Sequence, residues 1–384
     1  MKQPISSNFK LGILGGGQLG KMLTTAASRL DVATYVLDPT VGCPATNTCT
    51  KVTTGDFNDY NTVYQFGQDK DVITVEIESV NIEALKKLEE EGKQVLPTTH
   101  SLSIIKDKGL QKQFYKDNNI ATSSFELFES TEEIKIAIEN GTITFPFVQK
   151  LRTGGYDGRG VAVIKSADDL KLLLEGKSLV EQMVDINKEI AVIVARNTKG
   201  ETKCFPAVEM EFNPVANLVE FLFSPAAISE AEANEAETLS RSIVEHLDFV
   251  GLLAVELFID NEGKLYVNEV APRPHNSGHQ TIEGNLTSQY EQHLRAILGY
   301  PLGSTKITLP SVMINILGAE GYEGDVKYDG IDACMQVEGA NFHIYGKKVT
   351  KPFRKMGHAT IVDEDLENAK KKARYIQQQL KVIA

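Results

Sequence analysis

The chain has 384 residues, 42% hydrophobic and 24% charged, which suits roughly two to three packed domains and argues against extensive disorder. Its 52 acidic against 40 basic residues give a net charge of −12, which disfavours nonspecific binding to nucleic acid or an anionic membrane. The four cysteines, Cys43, Cys49, Cys204 and Cys334, form no CxxC pair and no metal-ligand spacing, so free thiols in a reducing compartment are expected.

The N-terminal MKQPISSNFKLGILGGG lacks a long apolar core and a cleavage site. FVGLLAVELFID is too short to span a bilayer and contains Glu256. A cytoplasmic, soluble protein with no membrane or nucleic-acid partner is expected. Residues 9–38 read as strand, glycine turn, helix and strand, ending at Asp38. DVITVEIE (71–78) is a buried-strand pattern, and NIEALKKLEEEG (81–92) is a helix with a glycine stop. Alternating strands and helices predict a parallel-sheet α/β domain over residues 1–103. IIKDKGLQKQFYKDNNI then reads as one basic amphipathic helix. Short strands follow at FPFVQKL, GVAVIKS, SLVEQMV and KEIAVIVARN, and a long acidic helix at 229–247. LLAVELFID and KLYVNEVA predict a hairpin across Asn-Glu-Gly, with the glycine left-handed. After PRPHNSGHQT comes a helix, SQYEQHLRAILG. These segments form an α+β domain over 104–304. A small C-terminal domain over 305–384 closes with the helix EDLENAKKKARYIQQQL.

Five constellations carry chemistry. In GGGQLG, Gly15, Gly17 and Gly20 match G-x-G-x-x-G between a strand and a helix, and Asp38 stands where a dinucleotide fold places its ribose acid. A dinucleotide site, another phosphate site and a plain tight turn all fit this pattern. Glu256 and Glu269 fall on facing strands beside Asn268, a set of hard oxygen ligands suited to Mg²⁺; exposed hairpin acids are the plainer reading. Arg273, His275 and Asn276 follow directly and favour a site. Lys150 ends a strand at the mouth of LRTGGYDGRGV, an arrangement able to fix nucleotide phosphates beneath a mobile glycine loop. Lys108 and Lys112 share a helix, where lysines, Lys112 above all, are usually solvated. Glu181 to Val184 and Glu189 could meet an adenine and a ribose, or form an ordinary strand and turn. Lys347, Arg354 and Lys355 in YGKKVTKPFRKMGH read as a clamp on a second, substrate phosphate, or as a solvated basic loop.

In this order, the motifs RTGGYDGRG, VEQMV, NEVAPRPHNSGH and GKKVTKPFRKMGH resemble the ATP-grasp superfamily, and more closely its 5-(carboxyamino)imidazole ribonucleotide synthetase family, over nearly the whole chain. The resemblance implies an ATP-grasp fold with an N-terminal parallel-sheet domain, a mobile lid subdomain at about 112–190 and a small C-terminal domain. It implies an ADP-forming ligase of purine biosynthesis that carboxylates aminoimidazole ribonucleotide with bicarbonate, using ATP and Mg²⁺, as a homodimer. It assigns Gly155, Tyr156, Asp157, Gly158, Arg159, Gly160 and Val161 to a lid over ATP, with Lys108 and Lys150 on the phosphates. Adenine would lie against Glu181, Gln182, Met183 and Val184, and ribose on Glu189. Glu256, Glu269 and Asn268 would hold Mg²⁺, with Asn268 and Glu269 also near the nucleotide, and Arg273 and His275 would meet bicarbonate. Gln18, Leu19, Glu76, Tyr156, Arg159, Asn276, Lys347, Arg354 and Lys355 would hold the ribonucleotide, and Asp157 would accept a proton. Phe212 stands at a nucleotide-contact position where bacterial relatives often carry histidine. The alternatives are a formate-dependent glycinamide ribonucleotide transformylase, against which GGYDGRG argues, a biotin carboxylase, a dinucleotide-dependent oxidoreductase and a non-catalytic nucleotide-binding module.

Overall fold

The computed structural model describes residues 3–155, 160–212 and 218–384. Its first unit is built around two fully buried aliphatic strands, LGIL and VITV. β1 (Leu11–Leu14), β2 (Thr34–Asp38), β3 (Lys51–Thr54), β4 (Val72–Val75) and β5 (Gln94–Val95) form a parallel sheet in the order β3-β2-β1-β4-β5. Helices α1 (Gln18–Ser28), α2 (Tyr60–Gly67) and α3 (Ile82–Glu90) make the crossovers, as parallel neighbours require. Asp59 and Asn81 cap α2 and α3 with side-chain oxygens.

The expected single helix after Ile104 is two helices, α4 (Thr99–Lys106) and α5 (Lys108–Asp117). The break is Asp107, extended, whose carboxylate accepts from the Gly109 and Leu110 amides and so starts α5 afresh. That carboxylate also grips Arg152 at 2.8–3.2 Å, tying the start of α5 to the entrance of the glycine loop.

A small antiparallel sheet follows in the order β6-β9-β7-β8: β6 (Phe125–Phe128), β7 (Phe147–Leu151), β8 (Val161–Ile164) and β9 (Ser178–Gln182), with α6 (Thr131–Glu139) packed on it. Among the described residues, the largest sheet has nine antiparallel strands. It contains β10 (Ile186–Arg196), β11 (Thr202–Cys204), β12 (Val208–Phe212), β13 (Val219–Ser224), β14 (Gly251–Asp260), β15 (Leu265–Ala271) and β16 (Ser311–Leu317). The acidic helix α7 (Glu230–His246), begun by a Ser229–Glu232 capping box, covers one face with Ala236, Ile243 and Val244. α8 (Thr281–Gly284) and α9 (Gln289–Ile297) follow β15, and α9 packs onto α1 through Tyr290, Leu294 and Ile297.

The C-terminal unit continues this sheet. β17 (Gly324–Asp325), β18 (Lys327–Asp329), α10 (Ile331–Cys334), β19 (Ala340–Ile344), β20 (Val349–Thr350), β21 (Lys355–Val362), α11 (Leu366–Gln379) and β22 (Lys381–Ile383) complete the chain, and β21 joins β16 to β19. The basic segment 345–355 is thereby held at the sheet edge where the N-terminal unit begins. Lys347 Nζ donates to Gln18 Oε1 at 2.8 Å, and Lys21 Nζ to the Ile344 carbonyl at 2.6 Å.

Candidate active site

The glycine turn is already occupied by the protein itself. Gly16 N–H donates to Asp38 at 2.8 Å, and Gly17 and Gly20 N–H donate to Glu76 at 2.8 and 3.2 Å. No side chain of α1 caps its first turn, so the Glu76 carboxylate answers those orphan donors and the positive end of the helix. Burial nevertheless pushes the Glu76 carboxyl up to about 7 against the pull of the Gly17 amide and Arg273. Asp38 also accepts from Thr40 N–H. The expected phosphate-facing amides and ribose acid are thus committed to one another. Glu76 borders the site as a helix cap, beside Gln18 and the buried Leu19 at the start of α1.

The hairpin builds the centre. Its turn is Asn261-Glu262-Gly263, with Gly263 at φ +82°, as the sequence predicts. Glu256 of β14 faces Glu269 of β15, and the register then shifts so that Leu257 faces Val267. Asn268 is the extra residue of this bulge. Neighbours on a regular strand point to opposite faces. Here the bulge lets both reach one cleft: Glu269 pairs with Lys108, and Asn268 Oδ1 accepts from Lys150 Nζ at 2.8 Å. Burial pushes the Glu256 carboxyl up, opposed by Lys108, Lys355, Lys150 and Arg273, so four cations from four parts of the chain converge on it. Among the described residues no group of three or more His, Cys, Asp or Glu gathers to cage a metal. Two carboxylates and an amide oxygen instead suit an ion that draws much of its shell from water and substrate phosphates.

His275 Nε2 lies 3.6 Å from Glu256 Oε1. Burial, with Arg273 and Lys355 nearby, holds its imidazole well below the usual range, so the ring is neutral. Its Nδ1 accepts from Ser277 N–H, which places the remaining proton on Nε2, toward Glu256. Arg273 pairs with Glu78 at 2.6 Å, and Asn276 exchanges two hydrogen bonds with Asn315 at 2.9 and 3.0 Å. Lys347 Nζ also donates to the Lys355 carbonyl, and Arg354 Nη1 to the Val349 carbonyl.

On the far side of the hairpin a cavity of about 260 Å³ is lined by Ser123, Gln182, Met183, Val184, Asp260 and Tyr266 among others, between the end of β9 and the hairpin turn. Glu181, grouped with these residues by sequence, is different: its carboxylate is inside the protein, paired with Lys112 and Lys150. Glu189 on β10 is pushed up to about 7 by burial and by Glu256. Phe212 ends β12 and packs against the cluster of Met210 and Leu222. Gly155, Gly160 and Val161 flank the lid, whereas Tyr156, Asp157, Gly158 and Arg159 lie outside the described residues.

Sequence reasoning missed Asp107, Arg152, Glu78, Asn315 and Lys112. Glu78 and Asn315 sit in ordinary polar contexts far along the chain from their partners. Lys112 was expected in solvent and is 3% exposed.

Two sheets approaching a nucleotide-sized cavity from either side define an ATP-grasp enzyme, and the ATP-grasp domain matches residues 113–290. The ribonucleotide synthetase preATP-grasp domain matches residues 9–106, and the phosphoribosylaminoimidazole carboxylase C-terminal domain residues 311–372. The N5-carboxyaminoimidazole ribonucleotide synthetase from Thermotoga maritima is 42% identical, with a TM-score of 0.90, covering 98% of this chain and 99% of that one. The N5-carboxyaminoimidazole synthase from Aspergillus clavatus, in complex with ADP and 5-aminoimidazole ribonucleotide, is 31% identical with a TM-score of 0.88 over 97% and 98% of the two chains. The phosphoribosylaminoimidazole carboxylase of Ogataea methanolica is 36% identical over 96% of this chain, which spans 69% of that protein. The chain belongs to the N5-carboxyaminoimidazole ribonucleotide synthetase family of ATP-grasp ligases.

Proposed function

We propose that this chain carboxylates 5-aminoimidazole ribonucleotide with bicarbonate, converting ATP to ADP and phosphate, as a step of purine biosynthesis. The observation that carries this reading is the convergence of Lys108, Lys150, Arg273 and Lys355 on the half-buried Glu256, with Lys347 bonded to Gln18 alongside. One group of cations suits a triphosphate and the other a phosphorylated substrate and bicarbonate.

In the proposed sequence, a bicarbonate oxygen attacks the γ-phosphorus, ADP leaves, and carboxyphosphate forms. The exocyclic amine of the ribonucleotide then takes the carboxyl carbon and loses a proton, and phosphate departs. Lys108 and Lys150 offset charge on the transferred group, and Arg273 orients bicarbonate, itself fixed by Glu78. Neutral His275 donates through Nε2 toward the same place. Glu256, Glu269 and Asn268 would hold Mg²⁺, which supplies charge neutralisation at the phosphates. The glycine loop would exclude water from an intermediate that hydrolyses readily. Asp157 is the proposed proton acceptor, and Asp157→Asn with unchanged turnover would remove it from that role. Gln182 to Val184 line the cavity proposed for adenine, with Glu181 contributing backbone alone, and Glu189 is the proposed ribose contact. Gln18, Leu19, Glu76, Asn276, Lys347, Arg354 and Lys355, with Tyr156 and Arg159 of the lid, are proposed for the ribonucleotide.

Among the described residues no helix is long and apolar enough to cross a membrane. A cytoplasmic location, a homodimer and domain boundaries at 103/104 and 304/305 complete the proposal; the location rests on the pattern of free cysteines, and the homodimer on the family resemblance. The test is phosphate release from Mg·ATP with bicarbonate and aminoimidazole ribonucleotide added separately and together. Full release needs both. Release indifferent to the ribonucleotide, or supported by formate in place of bicarbonate, overturns the reading.

A further inference from the structure

Lys112 has no role in the reaction proposed above, yet it is almost completely buried. A buried ammonium is costly unless its donors are satisfied and its charge is met. Lys112 Nζ pairs with Glu181 Oε1, and also donates to Thr122 Oγ1, to Ser123 Oγ at 3.2 Å and to the Val267 carbonyl at 3.4 Å. These partners lie at a junction. Residues 121–122 leave α5 and pair with β15 at Val267 before the chain enters the small sheet at β6.

The other oxygen of Glu181, Oε2, lies 2.5 Å from Lys150 Nζ. One buried carboxylate is therefore shared by two ammonium groups, and the cluster keeps one positive charge. Burial pushes the Glu181 carboxyl up, but Lys150 and Lys112 together outweigh it and hold the group down at about 2, so it is ionised at neutral pH. Without Lys112, Glu181 and Lys150 would form a closed, neutral pair. Lys150 would then bring no net charge to an anionic ligand, and withdrawing it from Glu181 would leave a bare buried carboxylate.

We propose that Lys112 is a positioning residue for ATP: by neutralising Glu181 it leaves the charge of Lys150 uncancelled and turned to the nucleotide phosphates. Lys112 acts through Glu181 and touches no substrate. The inference rests on the proposed role of Lys150 as a phosphate contact. It differs from a merely structural role in one respect: removing the carboxylate should repair the loss of the lysine.

The test compares the full-length wild-type chain with Lys112→Met, Glu181→Gln and the double variant. Binding of Mg·ATP alone is measured by calorimetry, and KM for ATP and for the ribonucleotide by ADP formation. Methionine and glutamine keep the shapes of the side chains they replace. Lys112→Met is expected to weaken ATP binding and raise the ATP KM at least tenfold, with the ribonucleotide KM within twofold of wild type. The double variant is expected to return to within threefold of wild type, a coupling that independent structural losses do not produce. An ATP KM for Lys112→Met within twofold of wild type overturns the proposal. So does a double variant as impaired as the single one. Should Lys112→Met not fold, Glu181→Gln and the double variant still decide: equal ATP affinities support the proposal, and a further tenfold loss in the double variant refutes it. A wild-type chain that fails to bind Mg·ATP would instead count against the proposed function.

Discussion

The glycine turn at the start of α1 and the bulged hairpin of β14 and β15 both look from sequence like places that attract charged ligands, and they have opposite fates. At the turn, backbone donors face inward and the protein's own acids, Asp38 and Glu76, take them. At the hairpin, the acids are outnumbered by cations brought from α5, β7, the segment after β15 and the C-terminal unit. A motif reports a backbone shape. Binding depends on the balance of charges the fold gathers there, and that is decided by residues distant in sequence.

The largest break in this comparison is expected at the hairpin. Glu256→Gln should lower kcat for ADP formation by about a thousandfold, roughly 4 kcal/mol of transition-state stabilisation. Because burial disfavours the Glu256 carboxylate, the same change should leave the melting temperature of the ligand-free protein unchanged or raised. At the turn the expected damage is structural. A Cβ at Gly20 would lie 2.8 Å from the Gly15 carbonyl oxygen, so Gly20→Ala should cost about 1–3 kcal/mol of stability by chemical denaturation.

Glu78→Gln sharpens the link between the two regions, since Glu78 comes from the N-terminal unit and grips Arg273. It should lower kcat/KM for bicarbonate about tenfold, with ATP binding unchanged in calorimetry. Glu76→Gln tests whether the turn is self-satisfied at a cost. The Glu76 carboxyl is raised to about 7 from its ordinary 4.5, so the folded state holds a proton the unfolded state has lost. That contribution is full below about pH 4.5 and is lost as pH rises toward 7. The melting temperature of the glutamine variant relative to wild type should therefore climb across this window, by an amount worth about 3 kcal/mol. A flat difference would refute the assignment. The smallest expected effect is none: NAD(P)H added to the protein should show no fluorescence change, because Asp38 and Glu76 already hold the amides of Gly16, Gly17 and Gly20.

The legible part of the fold was local. Buried runs such as VITV, the cap-and-stop pattern of α3 and the left-handed Gly263 follow from side-chain period and turn chemistry. The facing pair Glu256 and Glu269 was legible because a hairpin fixes its own register. The fracture at Asp107 was not, because the apolar period runs through it and its carboxylate, besides capping α5, is held by Arg152, 45 residues away. The burial of Lys112 was hidden for the same reason: helical period places a lysine on a face, and whether that face meets water is set by β9 and β15. Bulge and register likewise decide that Asn268 shares a cleft with Glu269, where simple alternation would separate them.

The central claim, that ATP activates bicarbonate at this cleft, is tested most directly by isotope transfer. With ¹⁸O-labelled bicarbonate, Mg·ATP and aminoimidazole ribonucleotide, the bridging oxygen of carboxyphosphate must leave with phosphorus. The account predicts one ¹⁸O in each inorganic phosphate released during turnover. Unlabelled phosphate alongside carboxylated product would contradict it.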